Sequence, residues 1–177
     1  MADTDESIGV VGAIDPSGGI AVIRIVLTVA VAVALLAASM PALETARATT
    51  TAERLDSEVD RIERATASVV SGSVAVTDPS LAARASVTVR VPSGVTAASI
   101  GRIALVEVGG PRPGTRIALR YRLVGGRDRY LPLRADAVAA RIELATGVVD
   151  LRPGGESRLE LRYVDDDGPT IRITRVG

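Results

Sequence analysis

An α+β protein is predicted, with one long N-terminal helix, hydrophobic and then amphipathic, followed by an antiparallel all-β domain built as a single sheet or small sandwich. Three observations predict it. The chain carries no charge from Ile25 to Met40, apolar residues recur at helical spacing from Glu44 to Val70, and from Ser71 onward they recur at every second position. These changes of pattern divide the chain into a tail (1–19), a transmembrane helix (20–43), an amphipathic stalk helix (44–70) and a β domain (71–177).

The tail is small and acidic, with Asp3, Asp5, Glu6 and Asp15 among Gly and Ser residues, and is expected to be disordered. The run Val22-Ile23-Arg24-Ile25-Val26-Leu27 has a basic residue just ahead of a long apolar stretch. A GTG codon at Val22 would start the chain there instead of at Met1.

The apolar segment holds only Thr28 and Ser39 as polar groups between Ile25 and Met40. With Ile20–Ile23 and Pro41–Leu43 added, it is long enough to cross a hydrocarbon layer of about 30 Å at 1.5 Å per residue. Arg24 sits near one end, where its guanidinium reaches the headgroups. A buried core helix is the plainer alternative, but so small a domain cannot cover such an element on every side. A cleaved signal peptide is the other rival. Its apolar region runs about 7–15 residues to a small-residue site, and the best match, Ala46-Arg47-Ala48, lies too far on. Arg24 precedes the span while Arg47 and Arg54 follow it; with Arg24 dominant, the β domain faces outward from a single-pass anchor.

Leu55, Val59, Ile62, Thr66 and Val69 step by four and three along one helix face, with charged residues between them. Glu58 and Arg61, and Asp60 and Arg64, stand at pairing distances. Pro41 is the one breaker between Ile20 and Ser71, so the span is expected to run into this helix with a bend there. The stripe packs either on the β domain or on another copy, and Leu55, Val59, Ile62 and Val69 are its candidate assembly residues.

The β pattern is clearest at Val87–Val91, Ile117–Leu123, Leu159–Tyr163 and Ile171–Ile173, with shorter segments at Ile142–Leu144 and Val149–Leu151. Ile103–Val108 is apolar on both faces, as a central strand is. Turn signals separate these runs at Gly94, Gly109-Gly110-Pro111, Gly125-Gly126, Gly147, Gly154-Gly155 and Gly168-Pro169. Asp136–Ala140 is expected to form at most one helical turn.

Composition removes most chemistry. The 177 residues include no Cys, His, Trp, Phe, Lys, Asn or Gln; all 21 basic residues are Arg, balanced by 21 Asp and Glu. Arg without Lys, amid abundant Ala, Val and Gly, reflects a GC-rich genome. Histidine-dependent triads, lysine Schiff bases and zinc sites are therefore excluded. Carboxylate pairs for glycoside hydrolysis remain, but sugar sites want aromatic platforms, and only Tyr121, Tyr130 and Tyr163 exist. No phosphate-binding or dinucleotide motif occurs. The expectation is a non-enzyme without cofactor or metal. Zero net charge likewise gives no reason to expect nucleic acid as a partner.

Two patterns still invite a site. Asp165-Asp166-Asp167-Gly168 suggests calcium, yet Tyr163 and Thr174 occupy EF-hand ligand positions, so the acidic tip of a β-hairpin is expected. Arg116, Arg120, Arg122, Arg158 and Arg162, with Arg172, point outward by alternation. They could form a face for a polyanion or a partner protein; the plainer reading is a solvated surface paired with Glu143, Glu156 and Glu160.

The order of parts resembles that of type IV pilin-like proteins. The text VIRIVLTVAVAVALLAAS and ERLDSEVDRIERA resembles more closely a family of short membrane-anchored proteins of halophilic archaea, over about the first 70 residues. The resemblance implies an envelope role, with membrane lipid, itself or other envelope, pilus or secretion proteins as partners. It brings no site residues. The pilin processing pattern departs at Gly19, since Arg24 stands at the fifth position after it and no basic residue precedes it. Two other functions follow from the residues alone: a membrane-tethered β module binding a protein or polyanion, and a secreted β protein after signal cleavage.

Overall fold

The computed structural model describes residues 16–109, 115–134 and 139–177. Most of the expected tail, the Gly110-Pro111 turn and residues 136–138 of the expected Asp136–Ala140 helical turn lie outside these residues. The chain divides into two compact units, one up to Leu43 and one from Glu44 to Gly177.

A single helix, α1 (Pro16–Gly72), contributes to both. It opens at Pro16, where the ring presets a helical φ, four residues earlier than the expected start of the span. No glycine interrupts it between Ile20 and Gly72. Pro41 lies inside the helix rather than ending it.

In the first unit the described apolar side chains are exposed from Val22 to Leu43. The two hydroxyls bond inside the helix: Thr28 donates to the Arg24 carbonyl at 2.8 Å and Ser39 to the Leu36 carbonyl at 2.9 Å. Such back-bonding leaves no hydroxyl seeking water.

The second unit places the remainder of α1 beside eight strands: β1 (Ala83–Arg90), β2 (Ile100–Gly109), β3 (Thr115–Leu123), β4 (Asp128–Pro132), β5 (Arg141–Leu144), β6 (Val148–Asp150), β7 (Glu156–Asp165) and β8 (Pro169–Arg175). They form two four-stranded sheets, ordered β1-β7-β8-β5 and β4-β3-β2-β6. All neighbours are antiparallel except β5 and β8. Both sheets feed one core, with Val89, Leu159, Leu161, Ile171 and Ile173 from the first meeting Ile103, Leu105, Ile117, Leu119 and Tyr121 from the second. The small-sandwich form of the prediction is therefore the one adopted.

Short β4 was not foreseen, because Asp128-Arg129-Tyr130-Leu131-Pro132 lacks apolar alternation. It is an edge strand, paired only with β3, and Pro132, which has no amide proton to give, stands at its end; just beyond it Leu133 still donates to the Ile117 carbonyl of β3 at 2.9 Å. β2 is flanked on both sides and buried on both faces from Ile103 to Val106, as its continuous apolar run requires.

Two devices close the open sides. β5 and β6, separated only by the turn at Gly147 (φ 69°), join different sheets, and Glu107 on β2 accepts the Leu144 amide proton at 3.1 Å. On the other side α1 bonds both edge strands' surroundings. Glu58 accepts the Arg90 amide proton at the end of β1, and Glu63 accepts that of Arg134 just beyond β4. A helix laid over β1 and β4 covers edges that would otherwise template pairing with another chain.

Candidate functional site

Among the described residues, no three carboxylates, histidines or cysteines converge to hold a metal. The Asp165–Gly168 sequence is the tip of the β7–β8 hairpin. Gly168 donates its amide proton to the Asp165 carboxylate at 3.0 Å, and Asp167 adopts a left-handed φ of 52°. Arg141 donates to the carbonyls of Asp166 and Asp167, each at 2.8 Å, and Arg172 pairs with the Asp166 carboxylate at 2.7 Å. Arginine holds these oxygens, which is the bonding of a capped turn and not of a cation site.

The outward arginines do not form one stripe. Arg116, Arg120 and Arg122 lie on β3, in the second sheet, whereas Arg158 and Arg162 lie on β7 and Arg172 on β8, in the first. Because the sheets share a core, side chains pointing away from it emerge on opposite faces of the sandwich. Several are paired: Arg122 with Asp128 through two bonds of 2.7 and 2.9 Å, and Arg162 with Glu160. Glu156 takes Arg90 at 2.8 Å, a cross-strand pair between β1 and β7. Arg122 and Asp128 reinforce each other's charge: the bidentate bond holds the Asp128 carboxyl below the usual carboxylate range and raises the Arg122 guanidinium. Arg120 differs, since its Nε is buried without a hydrogen-bond partner beside Ala104, its neighbour in the β2–β3 register.

The expected assembly stripe is a core seam instead. Leu55 and Ile62 are 0% exposed, Val59 2% and Val69 9%, all packed in the sandwich core. Burial to this degree leaves them no surface for a second copy. Polar partners that the apolar spacing did not signal sit in the same seam. Thr51 accepts the Ala98 amide proton at 2.9 Å, Thr66 donates to the Ile62 carbonyl at 2.9 Å, and buried Glu58 also pairs with Arg61 at 3.6 Å. Asp60 and Arg64, spaced equally well, do not pair.

The apolar half of α1 is the feature that the fold leaves unexplained. Leu27, Val29, Val31, Val33, Leu35 and Leu36 are each at least half exposed, and none of the most apolar stretch is buried. One helix among the described residues is therefore long and apolar enough to cross a membrane, and it lies near the N-terminus. Water-facing apolar surface of this extent is far beyond the few hundred Å² that soluble monomers carry.

A cleft of about 620 Å³ opens within the second unit between the first residues of its helix, Glu44–Ala48, and the loops at Ala97–Ser99 and Leu123–Gly126. Its polar side chains are the Glu44 carboxylate, the Arg47 guanidinium and the Thr45 and Ser99 hydroxyls.

A long helix with an exposed apolar half and a β sandwich packed on its other half defines the class: an α+β protein with one candidate membrane span. Residues 22–176 match the family described as a domain of unknown function, DUF7311, and the chain belongs to that family. No curated protein and no solved structure matches it significantly.

Proposed function

We propose that this is a non-enzymatic, single-pass membrane protein of the cell envelope, which uses the apolar half of α1 as its anchor and displays the β sandwich outside the membrane. One observation carries the reading: the uncharged stretch of α1 has no protein covering it, while everything from Glu44 onward is a folded unit with its own core. In water, that exposed stretch costs roughly 25 cal/mol for each Å² left bare; lipid removes the cost. Every backbone group in it is in a helix, apart from the carbonyl that Pro41 leaves without its usual donor, and both hydroxyls back-bond, as a lipid environment demands.

Support for a non-enzymatic role is chemical. The chain has no His, Cys or Lys, and several of its carboxylates are bonded to arginines or to a backbone amide: Glu156 to Arg90, Asp128 to Arg122, Asp166 to Arg172 and Glu58 to the Arg90 amide. The pilin-like form of the reading draws on the layout, in which one half of a long helix is bare and the other is packed on a β domain. In that form the bare halves of several copies bundle with one another, as filament subunits or beside a pilus or secretion assembly. Leu55, Val59, Ile62 and Val69, buried in the core, take no part in such bundling.

N-terminal sequencing and intact mass of the protein purified from membranes test the proposal. Retention of Ile25–Met40 in the mature chain is the expected result. A mature chain beginning after Ala48 overturns it in favour of a secreted β protein.

A further inference from the structure

At the end of the sandwich nearest Glu44, two loops are tied together: Val124 donates its amide proton to the Ser99 carbonyl at 2.9 Å. Each loop ends in a tight turn that holds a valine outward. The Ala97 amide bonds the Gly94 carbonyl, leaving Val95 84% exposed, and the Gly126 amide bonds the Leu123 carbonyl, leaving Val124 71% exposed. Both turns rely on a glycine with positive φ, Gly94 at 91° and Gly125 at 75°. Around them stand exposed Arg47, Arg102 and Arg127, together with Arg122, whose charge Asp128 offsets. Arg102 is close enough to act on the Asp128 carboxyl. Glu44 is the other carboxylate on this rim.

We propose that this rim, with Val95 and Val124 at its tips and Arg47, Arg102 and Arg127 beside them, is a lipid-binding surface that rests on anionic phospholipid headgroups. The inference rests on the anchor reading. Glu44, which lines the rim's cleft, directly follows Leu43, so in sequence the rim begins where the span ends. Exposed valines suit the boundary between headgroups and acyl chains, and an arginine excess suits negative lipid. Val74 and Leu81 are exposed to a similar degree, but they lie where α1 has ended and beside the start of β1, about 40 Å along the helix from Glu44 at 1.5 Å per residue. Position, more than exposure, singles out the rim. The cleft of about 620 Å³ between Glu44–Ala48 and the two loops gives a headgroup room to enter.

The chain has no cysteine, so a single spin label can be placed anywhere. Full-length Val95→Cys, Val124→Cys, Val74→Cys and Leu35→Cys, each nitroxide-labelled, are reconstituted into phosphatidylcholine vesicles with and without phosphatidylglycerol. Accessibility to dissolved oxygen and to a water-soluble nickel chelate is then read. The Val95 and Val124 labels should gain oxygen and lose nickel accessibility relative to Val74 by several-fold, and only when phosphatidylglycerol is present. Adding Arg127→Glu to Val124→Cys should return its label toward the Val74 values. Rim labels matching Val74 while the Leu35 label sits in lipid overturn the rim proposal and leave the anchor standing. Equal immersion without phosphatidylglycerol overturns the anionic specificity. A Leu35 label in water overturns the anchor reading, and the rim proposal with it.

Discussion

The Thr51 hydroxyl, fully buried on α1, accepts the amide proton of Ala98 at 2.9 Å and so fastens the helix to the β1–β2 loop, 47 residues further along the chain. Together with Glu58 on Arg90 and Glu63 on Arg134, it makes the helix from Glu44 onward a structural wall of the sandwich.

Thr51→Val keeps the shape and removes the acceptor. The Ala98 amide loses its partner in a partly buried place, and stability should fall by about 1–2 kcal/mol. Thr51→Ser should recover most of that loss. Urea unfolding of the detergent-solubilised chain, followed by circular dichroism, measures both.

Ile62→Ala should cost about 2–5 kcal/mol, since Ile62 is wholly enclosed among the strands. Leu35→Ala, on the bare half of the same helix, should leave the unfolding of the β domain unchanged. The same denaturation experiment distinguishes them, and equal losses at both positions would deny the seam.

Asp128 carries a depressed carboxyl pKa, caused first by its hydrogen bond from Arg122. A lowered folded-state pKa stabilises above the unfolded value of about 3.9, and that contribution disappears as pH falls through the folded value. Carboxyl NMR titration should show Asp128 ionising below ordinary aspartates, and Arg122→Gln should return it to the usual range.

Gly147 turns the chain between the two sheets at φ 69°, with open space around it. Gly147→Ala therefore meets no clash and should cost about 1 kcal/mol through backbone strain alone. A thermal melt reads the shift.

Much of this architecture was legible in the residue pattern because burial imposes a period. The step of four and three through Leu55, Val59, Ile62 and Val69 marked the helical seam, and the alternation in β1, β3, β7 and β8 marked strands with one buried face. β2 announced itself by being apolar on both faces. β4 did not, because an edge strand of five residues with half-exposed side chains has little burial to encode. Nor did spacing say what the helical stripe touches; packing on the domain's own sheets and packing on another copy demand the same pattern. The arginines misled for a related reason. Alternation states that a side chain points away from the core but not from which sheet, and Arg120 and Arg162 emerge on opposite faces. Thr51 and Glu58 were hidden because a polar residue in an apolar stripe reveals no partner until the loops are placed.

Alkaline carbonate extraction of membranes tests the anchor most directly. The full-length chain should stay in the membrane pellet through high salt and carbonate, and leave it only in detergent. Recovery of the intact chain in the carbonate supernatant, with Val22–Leu43 still present, would contradict the account.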